Sequence, residues 1–439
     1  MYQEDTAIEL GAATPPLQDT SNDGASEVST LFYQAFTQVA EGMNEVQKTE
    51  YLTSLFDDGE IETERTLFEH IVTEQSAQLP APNYHPDRAV REASLARKDQ
   101  WKPTDGGELS YVASNDLAVY LAQLGRPLCV SEALKEIRKL SESTVLTARI
   151  VLGLWNTRRY NKQVSKEGSV AILLDEILQW QGHQKHSRVL HVSEEGGKRY
   201  TDGYRTEHKQ RVVQDLALLA ACYVRGTCPI TLHGKTTEIE VDGPYLRYDT
   251  VSRKTIRGEK IILGFLISPG GWVSTYEQHQ IHLLAQIDSQ IFRLNPQNDR
   301  YALRLALYLT ERWREQAREK NFSQPITMTD LLAASMIEAE KRHLTSEIAP
   351  RIESALQNLE AMGVIGKQQR LIPVDTTKAR WGKEWLAAWW EILPPLHLVQ
   401  AYQAVVTPPK KKRPKTLTRG KQAPNHSLAP QKKKTDDVP

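Results

Sequence analysis

The chain has 439 residues, 40% hydrophobic and 25% charged, and its 55 Lys and Arg balance its 55 Asp and Glu. That length accommodates about three domains, and the apolar share is enough for ordinary cores. Three cysteines with no CxxC pair argue against a disulfide framework or a zinc knuckle and fit a reducing compartment.

The start "MYQEDTAIELGAATPPLQDT" has neither a basic opening nor an apolar run, so it is not a secretory signal. No apolar run reaches the roughly 18 residues that would span a membrane. A soluble cytoplasmic protein is expected, associated with the nucleoid, and nuclear only in a eukaryotic host.

The zero net charge hides an asymmetry. Residues 1–30 carry six acids and no Lys or Arg, and residues 31–75 carry ten acids against Lys48 and Arg65. The last thirty residues carry ten Lys and Arg against Asp436 and Asp437, and the body between is mildly basic. An acidic head with a basic body and tail points to a polyanionic partner for the latter two.

In chain order, residues 1–27 read as a disordered acidic terminus and 28–75 as an acidic helical segment. The three prolines of "QLPAPNYHPDRAV" mark 76–108 as a linker. Residues 109–165 read as a helix-turn-helix domain of three helices. The first is "SNDLAVYLAQLG", with Leu117, Tyr120, Leu121 and Leu124 on one face and Gly125 as its stop. The second is "VSEALKEIRKL", capped by Ser131, with Leu134, Ile137 and Leu140 inward. The third, "SESTVLTARIVLGLWNTRR", carries Val145, Ala148, Val151, Leu152 and Trp155 at helical spacing. That packing would leave Ser143, Thr144 and Thr147 outward at its N-terminal half, where small hydroxyls suit phosphates and base edges. Arg158 and Arg159 follow where a phosphate clamp would lie.

Residues 166–290 read as a winged-helix-like domain with β-hairpins. "GSVAILLDEILQWQG" predicts a helix capped by Ser169 and stopped by Gly182. "RTEHKQRVVQDLALLAACYV" predicts a second, capped by Thr206, whose start carries Arg205, His208, Lys209 and Arg211. Cations at a helix N-terminus oppose the macrodipole, a cost that an approaching phosphate offsets. Alternation and Gly-containing turns from Pro229 to Ser268 predict strands. "SRKTIRGEK" places Arg253, Lys254, Arg257 and Lys260 at one turn, a basic wing.

Residues 291–400 read as a C-terminal winged-helix domain. "NPQNDRYALRLALYLTERW" puts Ala302, Leu305, Ala306, Leu309 and Trp313 on one stripe behind Asn298 or Asp299 as cap. "ITMTDLLAASMI" is a second helix. "PRIESALQNLEAMGVIG" is a third, with Pro350 in its first turn, Ile352, Leu356, Leu359 and Met362 inward, and Gly363 as its stop. "VIGKQQRLIPVD" follows as two short strands. Arg351 is the basic contact of the third helix, set against Glu353 and Glu360. Residues 401–439 read as a disordered basic tail, in which "PKKKRPK" places Lys410, Lys411, Lys412 and Arg413 for non-specific phosphate contact. The same run resembles a nuclear localisation signal.

Familiar catalytic signatures are missing. "HGKTTEIE" lacks the first P-loop glycine, since that position is Pro229. His183/His186 and His279/His282 lack the Glu of HExxH. No GxSxG, glycine-rich fingerprint or Cys–His signature occurs. No enzyme activity, cofactor or metal is expected.

Residues of about 143–375 resemble the plasmid replication initiators built from two winged-helix domains. The resemblance rests on "LLDEILQWQGHQ" through "GYRTEHKQRVVQDLALLA" with its strand-rich sequel, and on "NDRYALRLALYLTERWRE", "ITMTDLLAAS" and "RIESALQNLEAMGVIG". It implies a protein that binds direct repeats in double-stranded DNA at an origin, distorts the duplex and recruits host replication proteins. In that family dimers often repress their own gene, and neither cofactor nor chemistry is involved. The acidic N-terminal region, the helix-turn-helix at 111–160 and the basic tail depart from the family pattern. The expected fold class is α+β, mainly α with small β wings, in several winged-helix or helix-turn-helix domains with disordered termini. A winged-helix transcriptional regulator and a non-catalytic protein-binding scaffold are the alternatives.

Overall fold

The computed structural model describes residues 78–406, apart from 161–162, 166–167, 190–198, 233–234, 255–259, 279–282, 320, 341 and 379. The acidic segments before residue 78 and the tail beyond residue 406 lie outside the described residues. The chain is α+β, mixed helix and sheet. Among the described residues no helix is long and apolar enough to cross a membrane.

The elements run β1 (Gln78–Pro82), α1 (His85–Leu95), β2 (Lys102–Pro103), β3 (Leu109–Val112), β4 (Ala118–Gln123), β5 (Arg126–Pro127), α2 (Val130–Ile137) and α3 (Glu142–Tyr160). Next come β6 (Val170–Leu173), α4 (Leu174–Trp180), β7 (His186–Val189), β8 (Arg199–Gly203), α5 (Thr206–Ala221), β9 (Cys222–Leu232), β10 (Lys235–Pro244), β11 (Leu246–Lys254) and β12 (Lys260–Pro269). The rest is α6 (Trp272–Gln278), β13 (Leu284–Asp288), α7 (Ser289–Phe292), α8 (Arg300–Glu319), β14 (Ile326–Thr327), α9 (Met328–Ala334), α10 (Ala349–Ala361), β15 (Lys367–Arg370), α11 (Trp381–Ala387), β16 (Trp389–Leu393) and α12 (Leu396–Val406).

Two stretches share one topology. In the first, α3, β6, α4, α5, β11 and β12 follow one another, and the three strands lie in the order β11-β12-β6. In the second, α8, β14, α9, α10, β15 and β16 do the same, in the order β14-β16-β15. Each is helix, strand, helix, helix, strand, strand, with the last strand central and antiparallel to both neighbours. The first copy carries two insertions, the hairpin β7–β8 between its second and third helices and the long hairpin β9–β10 after the third. No fixed-period sequence repeat announces this duplication, because a shared topology needs only matching apolar faces.

The 76–108 stretch is not a linker. β1 pairs with β13, and α1 is buried along most of its length. The prolines do not break it: Pro80 and Pro82 sit in a two-stranded sheet, where few backbone donors are needed, and Pro86 occupies the first turn of α1. Gly153 in α3 lets β1 lie close, since a Cβ there would stand 2.4 Å from Leu79 Cγ.

The helix expected at Leu117–Leu124 is also corrected. Ala118–Gln123 is the strand β4, paired with β3, β5 and β9. Leu124 and Gly125 form the two-residue turn between β4 and β5 with φ of 50° and 75°, and Leu124 is 97% exposed. An apolar run buried on both faces has no alternation to betray it, and so reads equally well as helix. With that helix gone, α3 is the first helix of a six-element unit, not the reading helix of a separate one. Val170–Leu173 likewise leaves the expected helix to join β12 as a strand, so Ser169 caps nothing and α4 begins at Leu174.

Helices α2, α3, α5, α8, α9 and α10 fall where periodicity places them, and the stripe Ala302, Leu305, Ala306, Leu309 and Trp313 is at most 5% exposed. Met362, expected inward, is 38% exposed just past the end of α10. The second strand after α10 is not "LIPVD" but Trp389–Leu393, separated from β15 by a long loop and α11. Residues 396–406, partly assigned to the tail, are helical.

The two units are joined through charge. Glu311 on α8, Arg149 on α3 and Arg91 on α1 are each at most 4% exposed. Arg91 Nε donates to Glu311 Oε1 at 3.0 Å, and Arg149 Nη2 donates to the same oxygen. Arg149 Nη1 also donates to the Pro82 carbonyl at 2.7 Å, and Arg91 Nη1 to that of Ala334 at 3.2 Å. Burial alone would raise the Glu311 carboxyl, but Arg91, Arg149 and Arg88 outweigh it and hold it below the usual range. Arg304 and Glu142, 2.7 Å apart, tie α8 to α3 a second time.

Glu311→Gln removes the carboxylate shared by two buried guanidiniums, leaving Arg149 without a paired acid and Arg91 with only Glu92 at 3.7 Å, and should lower the unfolding free energy by about 3–5 kcal/mol. Glu315→Gln, which removes the 56% exposed partner of Arg88, should cost at most about 1 kcal/mol. Urea unfolding of both variants beside the wild type measures the contrast.

Candidate nucleic-acid interface

In each unit the third helix keeps a row of exposed residues. Those helices are α5 and α10. The hydroxyls expected on α3 are not part of such a face. Thr144 and Thr147 are 0% exposed, and Ser143 is half-buried. All three donate to the carboxylate of Asp215 on α5, at 2.6 Å from Ser143, 2.9 Å from Thr144 and 3.2 Å from Thr147. Gln181 donates to Thr147 Oγ1 at 3.0 Å. Burial pushes the Asp215 carboxyl up, although Arg211 and the three hydroxyls pull it down. A buried acid needs such donors, and the start of α3 supplies them. Sequence alone shows a "SEST" start and cannot show that its target is an acid 72 residues away.

Arg211 belongs to the same cluster. It lies 3.1 Å from Asp215 and donates to Ser141 Oγ at 2.6 Å and to the Lys139 carbonyl at 3.2 Å. It therefore locks α5 against α3, and the expectation of a free contact there is corrected. Arg158 is also internal: its Nη2 donates to both oxygens of Glu176 at 2.7 Å, and its Nη1 donates to the Ala171 carbonyl. A fork held on both carboxylate oxygens is not a spare phosphate clamp. Arg159 lies over the Trp155 ring and pairs with Glu277.

The start of α5 keeps its cations outward. Arg205 is exposed and donates to His186 Nε2. Lys209 and Lys185 lie 3.8 and 3.7 Å from Asp175, and Lys185 stands over the Tyr204 ring. His183 and His208 stack with centroids 3.9 Å apart, and His208 Nδ1 is buried without a partner. Thus Lys185 and Lys209 flank Asp175, while Arg205 and Glu207 are exposed at the start of the helix. Along the same helix Thr206 and Gln210 are exposed. Thr206 is the first helical residue rather than the cap, which is Arg205 and offers no side-chain oxygen.

Arg253 and Lys254 end β11, and Lys260 opens β12, so they flank the turn between these strands. Arg257 lies outside the described residues, as do Lys410, Lys411, Lys412 and Arg413.

On α10 the outward face consists of Arg351, Ser354, Gln357 and Asn358, all exposed. Arg351 pairs with Glu347 at 3.4 Å, an exposed contact within one helical turn. Glu353, set against Arg351 in the sequence, turns toward the wing. It accepts from Trp385 Nε1 at 2.7 Å and lies 3.7 Å from Arg370. Sequence reading missed Ser354, Gln357 and Asn358, although they are the complement of the Ile352, Leu356 and Leu359 stripe it did find. Among the described residues no group of three or more His, Cys, Asp or Glu side chains is placed to hold a metal ion.

No family model matches the sequence. Comparison with curated proteins finds no match either. Among solved structures, domains 2 and 3 of RctB are 9% identical with a TM-score of 0.35, over 71% of this chain and 98% of that one. A likeness at that level defines neither a shared fold nor a function.

Burial, then the neighbouring His208, lowers His183 from 6.5 to about 4. Its folded value lies below its unfolded one, so its contribution to stability is complete above pH 6.5 and is lost as pH falls toward 4. His183→Gln should flatten that part of the dependence of Tm on pH, as thermal unfolding between pH 4 and 7 would measure.

Proposed function

We propose that the protein is a sequence-specific double-stranded DNA-binding protein that initiates replication of a plasmid or similar element. It acts by binding and not by catalysis, without cofactor or metal. The observation that supports this is the doubled unit, each copy a winged-helix order with a third helix turned outward. On α10 that face offers Arg, Ser, Gln and Asn, the side chains that reach base edges in a major groove. On α5 the outward start is cationic, which suits phosphates. Two such helices in one chain would engage two segments of one duplex. Tandem repeats in the DNA are the natural target, and recruitment of host replication proteins and dimerisation on the DNA belong to the same reading.

The decisive experiment selects bound fragments from a random duplex library with the full chain. Recovery of direct repeats is expected; a single palindrome would replace the initiator with a transcriptional regulator. No recovered site, together with binding indifferent to salt, would leave a protein-binding scaffold.

Arg351→Ala and Asn358→Ala should each cost about 1–3 kcal/mol against the selected site and much less against random duplex. Arg205→Ala with Lys209→Ala should weaken both duplexes together and reduce the salt slope by about 0.9 per lost phosphate contact. Arg211 is left intact because it holds α5 in place. Mobility-shift titrations over a range of salt concentrations separate the two behaviours. In the same assay, removal of residues 407–439 should lower random-duplex affinity and flatten the slope.

A further inference from the structure

Helix α1 carries a polar row in surroundings that exclude solvent. Asp87, Arg91 and Ser94 of "HPDRAVREASL" stand four and three residues apart and so share one side of the helix. A row of this kind ordinarily faces water, yet all three residues are at most 4% exposed. Burial obliges each of them to find a hydrogen-bond partner. Asp87 accepts from the Tyr84 amide and from Tyr245 Oη, both at 2.9 Å. Arg91 donates to Glu311 and to the Ala334 carbonyl. Ser94 Oγ is buried and has no partner among the described residues.

A small cavity adjoins this row. It offers about 10 Å³ to the centre of a water-sized sphere, and its wall takes in Asp87, Arg91, Ser94, Arg149 and Tyr245. Aliphatic side chains of α1, α3 and α5 close the remainder. On that measure a single water needs roughly 10–15 Å³, and cavities that stay dry are apolar throughout. This one is of the right size and is not apolar.

The charges of the wall select the occupant. A cation would meet the guanidiniums of Arg91 and Arg149, and an anion would meet the Asp87 carboxylate. A neutral molecule that both donates and accepts opposes neither. Arg149 donates to the Pro82 carbonyl and to Glu311, and its guanidinium carries further N–H groups beyond those two bonds. Each oxygen of Asp87 takes one of its two donors and can accept another. Burial raises this carboxyl to about 6 against the pull of Arg149, the Tyr84 amide and Tyr245, so a further donor serves its ionised form. The Ser94 hydroxyl can turn to either role. Buried waters make about three such contacts.

We propose that the cavity between α1, α3 and α5 is a binding site for one structural water, which bridges Ser94 Oγ to the Asp87 carboxylate and the Arg149 guanidinium. The site shares Arg91 and Arg149 with the Glu311 cluster, so the water extends the polar contact of α1 with α3 toward α5. It involves no DNA and stands apart from the function proposed above.

The test is a crystal structure of the full chain at a resolution that shows ordered water, joined to magnetic relaxation dispersion of water oxygen in solution. The amplitude of that dispersion counts waters held longer than the protein takes to tumble. The wild type should show density in the cavity within hydrogen-bonding distance of Ser94 Oγ and of Asp87 or Arg149. Ser94→Val removes the hydroxyl and fills part of the space. It should lose the density and lower the dispersion amplitude by the share of one water, with thermal unfolding establishing that the variant is folded. A wild-type cavity without density, with Ser94 Oγ turned to the Val90 carbonyl one helical turn back, overturns the proposal whether or not the variant folds. An unchanged amplitude in the folded variant overturns it as well. An anomalous peak in the cavity of bromide-soaked crystals would replace the water with an anion.

Discussion

Glu311 is the carboxylate on which the arrangement of this chain depends. It is buried between Arg91 and Arg149, and the three residues come from α1, α3 and α8. Two of those helices are the first helices of the two repeated units. Separating the units would bring the carboxylate to water but strand guanidiniums in a protein interior, so the three move together or not at all. Around this triad Asp87 is fully buried, accepting from the Tyr84 amide and from Tyr245 Oη at 2.9 Å. Burial raises its carboxyl to about 6, against the pull of Arg149 and of those two donors. An interior assembled from charges in this way is costly to change one member at a time. It sets α1, expected to be a linker, as the wedge between the units.

The same physics acts on a smaller scale at Asp215. A carboxylate buried at the middle of α5 is satisfied by three hydroxyls from the start of α3 and by Arg211 from its own helix. This cluster settles how far α5 stands from α3 and hence which of its residues face outward. Ser143, Thr144, Thr147 and Arg211 are taken up by that placement. Arg205 and Lys209, one turn earlier, remain at the surface and are free of this duty.

A consequence is that the two outward helices differ in character. α5 begins with exposed Arg205 and Glu207 and with Lys209 beside Asp175, whereas α10 presents amide and hydroxyl side chains with one Arg. The strand pairs behind them differ too, since the loop after β15 leaves Leu371 and Ile372 exposed.

Much of the helical framework was legible in the sequence, because an apolar stripe at 3.6-residue spacing is a local property. The stripes of α3, α8 and α10 could be written down residue by residue, and so could the glycine stop at Gly363, φ 73°. The strand β4 could not, since a run buried on both faces has no period, nor could β6, a four-residue apolar run too short to show one; both take their form from neighbours far along the chain. Nor could the direction of a serine, threonine or arginine. Whether Thr144 meets a phosphate or a buried carboxylate, and whether Glu353 faces a groove or a tryptophan, depends on which elements lie across from them. By itself, then, the sequence determined the helices and the charge carried at their ends, through contacts spanning a few residues. Only the tertiary structure decided which polar groups were buried as partners and which were left to a ligand, because burying a polar group demands a specific donor or acceptor that distant segments must bring.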